Sequence, residues 1–132
     1  ELMRRAHDWF TANDLPAPDL YVPPAWALGR ISRQWLARAP YRRIETTTGV
    51  WLRDASRTLP RHRKLPLVGY EADTAFRASF LRCWNALQAG SAGTLRCPLR
   101  ISIHPGDTGL RLAGQMNAQV RSVANWSNYD RI

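Results

Sequence analysis

Lysine is nearly absent from this 132-residue chain: Lys64 is the only one, and arginine supplies the rest of its 19 basic side chains. Acidic residues are also scarce, 10 in all, which leaves a formal net charge of +9. An arginine bias of this kind can come from the nucleotide composition of the source genome. A basic surface can also attract nucleic acid, acidic lipid or anionic glycans. The arginines are dispersed, with one cluster at Arg61-His62-Arg63-Lys64. No aromatic residue interleaves with that cluster and it follows Pro60, so it reads as a solvated loop and no nucleic-acid partner is expected.

Cysteine is equally sparse. Cys83 and Cys97 form no CxxC and share no zinc-type spacing with a histidine, so no structural zinc site is expected. Two free, buried thiols in a reducing compartment are expected. No run approaches the ~20 apolar residues of a membrane span, and no signal peptide is visible. On these grounds the expected location is cytoplasmic. The chain opens Glu1-Leu2-Met3-Arg4-Arg5, without an initiator methionine and already in a helical pattern, and so reads as an excerpt of a longer protein. Repeats, low-complexity tracts and a second domain are also missing, so residues 1–132 read as one domain.

What is present is apolar and periodic. The composition is 45% hydrophobic with six tryptophans, the signature of a folded chain. Helical spacing predicts an amphipathic helix over 1–13 and a second from about Ala25 to Ala37. The clearest one runs from Thr74 to Gln88, capped by Asp73 or Thr74, with Phe76, Phe80, Leu81, Trp84 and Leu87 on one face. Ala89 to Gly93 then reads as a flexible turn, and a last helix spans Thr108 to Val123.

Strands are expected at Leu20–Val22, Tyr41–Thr47, Gly49–Leu52, Leu65–Tyr70 and Cys97–Ile103, with residues 53–64 as a polar surface loop. The tail from Trp126 to Ile132 could add one more strand. Strands alternating with helices define an α/β chain with a mainly parallel sheet. By connectivity this could be half of a barrel, being too short for the roughly 200 to 250 residues of a complete one.

Residues 100–107, Arg-Ile-Ser-Ile-His-Pro-Gly-Asp, are the most informative stretch. Ile101 and Ile103 alternate with polar neighbours, and Pro105-Gly106-Asp107 turn the chain. His104 therefore falls at the C-terminal end of a strand, the edge where α/β proteins collect ligands and catalytic side chains. An imidazole there is a candidate general acid or base. Asp107 either caps the helix that follows or orients His104. Glu45 is either a cleft acid or the partner of Arg42 or Arg43. His7 and His62 read as solvated, and Trp26 and Trp51 as core residues or a substrate platform.

The order of these features resembles the polysaccharide deacetylase superfamily, of the NodB-homology, carbohydrate esterase type, and more closely a less characterised branch of deacetylase-like proteins within it. Three segments carry the likeness. Leu20-Tyr21-Val22-Pro23-Pro24-Ala25-Trp26 is similar to that branch's Phe-Val-Pro-Pro-Ala-Trp strand end, and Tyr41 through Leu52 to its next strand pair. Ile101 to Asp107 is similar to its last motif, an apolar strand ending in histidine. The likeness runs from about Phe10 to Trp126.

The resemblance implies the C-terminal portion of an irregular (β/α)7-type deacetylase barrel. It also implies a metal-dependent hydrolase that removes N-acyl groups from a carbohydrate-like substrate. His104 is then the proton donor to the leaving amine, Ile103 an apolar wall of the acetyl pocket, and Pro23, Pro24 and Trp26 the cleft lining. The catalytic aspartate and the Asp/His/His site for a divalent metal, zinc foremost, belong to motifs that precede this segment. No metal ligand is assigned within the chain, and this polypeptide alone is expected to be inactive.

Two positions depart from the family pattern. The family's bracing arginine falls on Val22, and its Asp-x-x-Asp-Trp motif has no clear counterpart, Glu45 being the nearest acidic residue. Two other functions compete. One is a non-enzymatic module binding an anionic polymer through dispersed arginines. The other is a barrel glycosidase half using Glu45, which lacks the second carboxylate such chemistry needs.

Overall fold

The computed structural model of the chain describes residues 1–127 and Tyr129, and divides at Pro66 into two units, Glu1–Pro66 and Leu67–Ile132. In the first unit, helix α1 (Leu2–Ala12) buries Met3 against Leu36, Ala39, Tyr41 and Ile44. The Tyr41 hydroxyl donates to the Met3 carbonyl at 3.1 Å. His7, expected in solvent, stands edge-on to the Tyr41 ring at 5.5 Å, because it shares a helix face with Met3.

Strand β1 (Leu20–Tyr21) pairs parallel with β2 (Arg43–Thr46). A two-residue turn returns the chain as β3 (Gly49–Leu52), antiparallel to β2, and β4 (Arg61–Lys64) adds antiparallel to β3. The sheet order is β1-β2-β3-β4. The basic cluster, expected as a loop, is thus an edge strand. Register places His62 beside Trp51, ring centroids 4.7 Å apart. Pairing to β3 outweighs the cluster's polar composition, and charged side chains suit an edge that must not template further strands.

Gly49 makes that pairing sterically possible. It has φ +155°, and a Cβ there would lie 2.1 Å from the Arg63 carbonyl oxygen. Only glycine permits so close a backbone approach.

The helix expected from Ala25 to Ala37 is mostly not formed. Pro24–Trp26 make a single 3₁₀ turn, and α2 covers only Arg33–Ala37. Ser32 starts it by accepting the Trp35 N–H at 3.2 Å, a cap signal that competes with the apolar periodicity upstream. Gly29 lies at φ +65°, which breaks any helix continuing into that cap.

The second unit is a strand-helix-strand crossover followed by a helix. β5 (Leu67–Gly69) and β6 (Arg100–Ser102) pair parallel, joined by the 21-residue α3 (Ala75–Leu95). Parallel strands need such a crossover because no short turn can connect them. α4 (Ala113–Ser122) follows a 3₁₀ turn at Asp107–Gly109. Val68, Tyr70, Ala72, Ala78, Leu112 and Met116 form the core. Each large side chain among them contributes about 1.5–3 kcal/mol by burial.

α3 continues through the segment expected to be a flexible turn. Ala92 is buried within this segment, and tertiary packing outweighs the glycines at 90 and 93. The buried face also differs from the expected one. Ala78, Asn85 and Ala92 face inward with Leu81 packed beside them, whereas Phe76 and Phe80 face out. The two thiols are free, but Cys83 is exposed and Cys97 half-buried, so neither is the buried thiol expected. Trp126 and Ser127 form no strand, and apart from Tyr129 the remainder of that expected strand lies outside the described residues.

The sheets are mixed rather than mainly parallel: β1–β2 and β5–β6 run parallel, β2–β3 and β3–β4 antiparallel. The turn at Thr47–Thr48 is too short for a parallel crossover. Among the described residues, no barrel closes.

Candidate functional site

His104 lies two residues past the end of β6, at the start of a turn that its own backbone closes. The Asp107 N–H donates to the His104 carbonyl at 3.0 Å, and the His104 N–H donates to Asp107 Oδ2 at 2.9 Å. Asp107 thus reaches back across the turn, as the carboxylate of a capping box does. Asp107 is itself the first residue of the 3₁₀ turn that follows, and the hydrogen bond its side chain makes is to the His104 backbone.

The same carboxylate faces the imidazole. Oδ2 lies 3.7 Å from His104 Nδ1, beyond hydrogen-bond range, so this contact is Coulombic. Side-chain exposure is 47% for His104 and 1% for Asp107. The charge is therefore held in a dry environment behind a ring that solvent reaches. The other oxygen, Oδ1, is buried with no hydrogen-bond partner among the described residues. Burying such an acceptor costs stability. With Nδ1 turned toward Asp107, Nε2 occupies the far side of the ring. Ile103, next to it, is exposed.

The other expected site residues lie in the first unit. Pro23 is buried and Pro24 exposed. Both line a cleft of about 340 Å³ together with Tyr21, Leu28, Ile31 and Trp35. Trp26 is not part of that lining. Its indole N–H donates instead to Glu45 Oε1 at 3.2 Å, and the Trp26 carbonyl accepts the Thr47 N–H at 3.4 Å. Glu45 is buried on β2, while Arg42 forms its ion pair with Asp19, 3.8 Å away.

Ala25 and Trp26 both hold left-handed backbone, φ +51° and +54°. For residues with a Cβ that conformation costs roughly 1 kcal/mol or more each. The strain persists because the indole bond and the Thr47 bond both fix Trp26 against β2.

The structure thus brings together two pairs, His104 with Asp107 and Trp26 with Glu45, in separate units. Sequence reasoning missed the cleft residues Tyr21, Leu28, Ile31 and Trp35. Apolar periodicity does not separate cleft from core here, because Leu28 and Ile31 pack against the first unit's core as well as lining the cleft. Trp51 and His62 form a second ring pair, with the Arg33 guanidinium 5.9 Å from the Trp51 centroid. His62 is accordingly half-buried rather than solvated.

Among the described residues, no three His, Cys, Asp or Glu side chains come together as a metal site. The described residues therefore assemble no divalent metal centre of the Asp/His/His kind. No described helix is long and apolar enough to cross a membrane. Comparison with family models, curated proteins and solved structures finds no match to this chain.

Proposed function

We propose that this chain is the C-terminal portion of a metal-dependent hydrolase of the polysaccharide deacetylase type, with His104 as the proton donor. The observation that carries this reading is the His104–Asp107 pair: a solvent-reachable imidazole with a buried carboxylate 3.7 Å from its Nδ1. A carboxylate behind Nδ1 orients the ring so that Nε2 can give its proton to a leaving amine as the C–N bond breaks. The exposed Ile103 side chain beside it suits an acetyl methyl group. Pro23 and Pro24 line a cleft of a size that admits part of a sugar chain. The divalent metal of this reading, zinc foremost, rests on residues outside this chain.

The test is made in a polypeptide that joins this chain to its metal-binding half. His104→Ala should lower release of acetate from N-acetylated amino sugars by roughly 10² to 10⁴ while leaving metal content unchanged. Unchanged turnover would end the assignment. So would a reading frame whose upstream portion lacks an acidic pair and two spaced histidines.

A second reading, a module that binds an anionic polymer, draws support from β4, which lays Arg61, Arg63 and Lys64 along a sheet edge. It requires retention on a polyanion that falls steeply with salt. Weak, salt-insensitive retention would dismiss it.

A further inference from the structure

The first unit also holds a cavity of about 240 Å³ that adjoins the cleft of Pro23 and Pro24. Glu1, Met3 and Trp35 line both, whereas Arg4, Arg38, Ala39 and Pro40 line this cavity and not the cleft. Two segments distant in sequence build it, and one core contact holds them together. Met3 of α1 and Ala39, just after α2, belong to the same buried cluster, and the Tyr41 hydroxyl donates to the Met3 carbonyl. Arg4 follows Met3 and Arg38 precedes Ala39. The packing that buries Met3 and Ala39 therefore also brings the two arginines to one cavity.

The rest of the lining is largely apolar: Met3, Ala39, Pro40 and Trp35. Trp35 and Arg38 stand three residues apart, in α2 and at its C-terminal cap, a spacing that puts both on one side of the helix. Trp35 is 41% exposed, so part of its indole is available to a ligand. An apolar pocket with a few convergent polar groups is the usual form of a small-molecule site.

Charge indicates what enters. Among the described residues, neither the Arg4 nor the Arg38 guanidinium makes a hydrogen bond or an ion pair. The planar guanidinium fork matches a carboxylate, which can accept from both arginines at once. Glu1, the one acidic residue of the lining, stands at the boundary shared with the cleft, while the arginines belong to the cavity's other portion.

We propose that this cavity binds a small aromatic carboxylate, with its carboxylate between Arg4 and Arg38 and its ring against Trp35. The volume is below the roughly 300 to 1,000 Å³ of sites for drug-sized ligands, and suits a single ring. The site lies wholly within the first unit and does not involve His104, so it is independent of the hydrolase reading.

Calorimetric titration of the intact chain with phenylacetate tests this. A one-to-one complex with a dissociation constant below ~1 mM is expected, weakening as salt rises. Phenylacetamide keeps the ring without the charge, and acetate keeps the charge without the ring; each should bind at least ~10-fold more weakly. Arg4 and Arg38 are both exposed. Arg4→Gln combined with Arg38→Gln should therefore weaken phenylacetate at least ~10-fold with helix content and unfolding midpoint retained. Glu1→Gln removes the opposing charge and should tighten binding about 2- to 3-fold.

No binding at ~10 mM phenylacetate overturns the proposal. So does an amide that binds as tightly as the acid, which would make the cavity apolar only, or a double variant that binds unchanged. Acetate binding as tightly as phenylacetate would leave only the general pull of a basic chain on anions, and overturns it equally.

Discussion

The Asn85 side chain makes both hydrogen bonds of the Gly69 backbone: its Oδ1 accepts the Gly69 N–H at 3.2 Å and its Nδ2 donates to the Gly69 carbonyl at 2.9 Å. A neighbouring strand would normally satisfy those groups. Gln88 and Trp84 extend the substitution one pleat along, Gln88 accepting the Leu67 N–H and Trp84 donating to the Leu67 carbonyl. Three side chains of α3 thus close one edge of β5, while β6 pairs with the other. Asn85→Leu keeps the bulk but orphans two backbone groups beside the core. Its expected cost is about 2 kcal/mol or more, read as a fall in the urea midpoint.

Gly49→Ala should be the most damaging single-methyl change in the first unit. The added Cβ would collide with the Arg63 carbonyl, so β3 and β4 must separate or shift. A loss of about 2 kcal/mol or more is expected. Wild-type stability in this variant would show that the approach of β4 to Gly49 is looser than described.

Among the described residues Asp14, Ala25, Trp26 and Arg96 hold left-handed backbone without glycine's freedom, and replacing Arg96 or Ala25 by glycine should stabilise the chain. Arg96, at φ +48°, ends α3 in the position where glycine is preferred. Arg96→Gly is expected to add about 1 kcal/mol. Ala25→Gly should act in the same direction, offset by the greater freedom of the unfolded chain. Thermal unfolding measures both, and a lowered midpoint for Arg96→Gly would contradict the cap geometry.

Asp107→Ala removes the acceptor of the His104 N–H and the charge behind the ring. The expected loss is about 1–2 kcal/mol, because the lost bond is charge-assisted but one carboxylate oxygen was already unsatisfied. Asp107→Asn retains an acceptor and should cost less. If the two variants unfold alike, the backbone bond is not what holds the turn.

Burial pushes the Tyr70 phenol up to about 12, while its hydroxyl donates to Gln119 Oε1 at 2.7 Å. Because the folded value is raised, the folded state holds this proton more tightly than the unfolded state, whose phenols titrate near 10. The associated stability is fully present below about pH 10 and is lost as pH rises from 10 towards 12. Ultraviolet titration should show a phenol ionising near pH 12, and Tyr70→Phe should remove that late step. Tyr41 is also raised, chiefly by burial and further by the charges of Tyr21 and Asp8.

Local chemistry was legible in the chain wherever one signal acted alone. Met3, Trp9 and Phe10 at helical spacing marked α1, and Thr74 marked the start of α3, where its hydroxyl accepts the Arg77 N–H at 3.2 Å. Pro105-Gly106-Asp107 marked the turn after His104. Where two signals competed, tertiary contacts chose between them. Arg61 to Lys64 are polar enough for a loop, yet β3 offers them a ladder. Ala25 to Ser32 have helical spacing, yet Trp26 is drawn to Glu45 and the helix waits for Ser32.

By itself the sequence determined which segments are apolar, where the chain turns, and that an imidazole stands at a strand end near a carboxylate. These follow from side-chain chemistry and from spacing within a few residues. Only the tertiary structure decided which face of α3 is buried, what closes the edge of β5, and that Asp107 turns back to His104 rather than forward to a helix. Those outcomes depend on groups that are distant in sequence or on the direction of a single side chain, and periodicity carries neither.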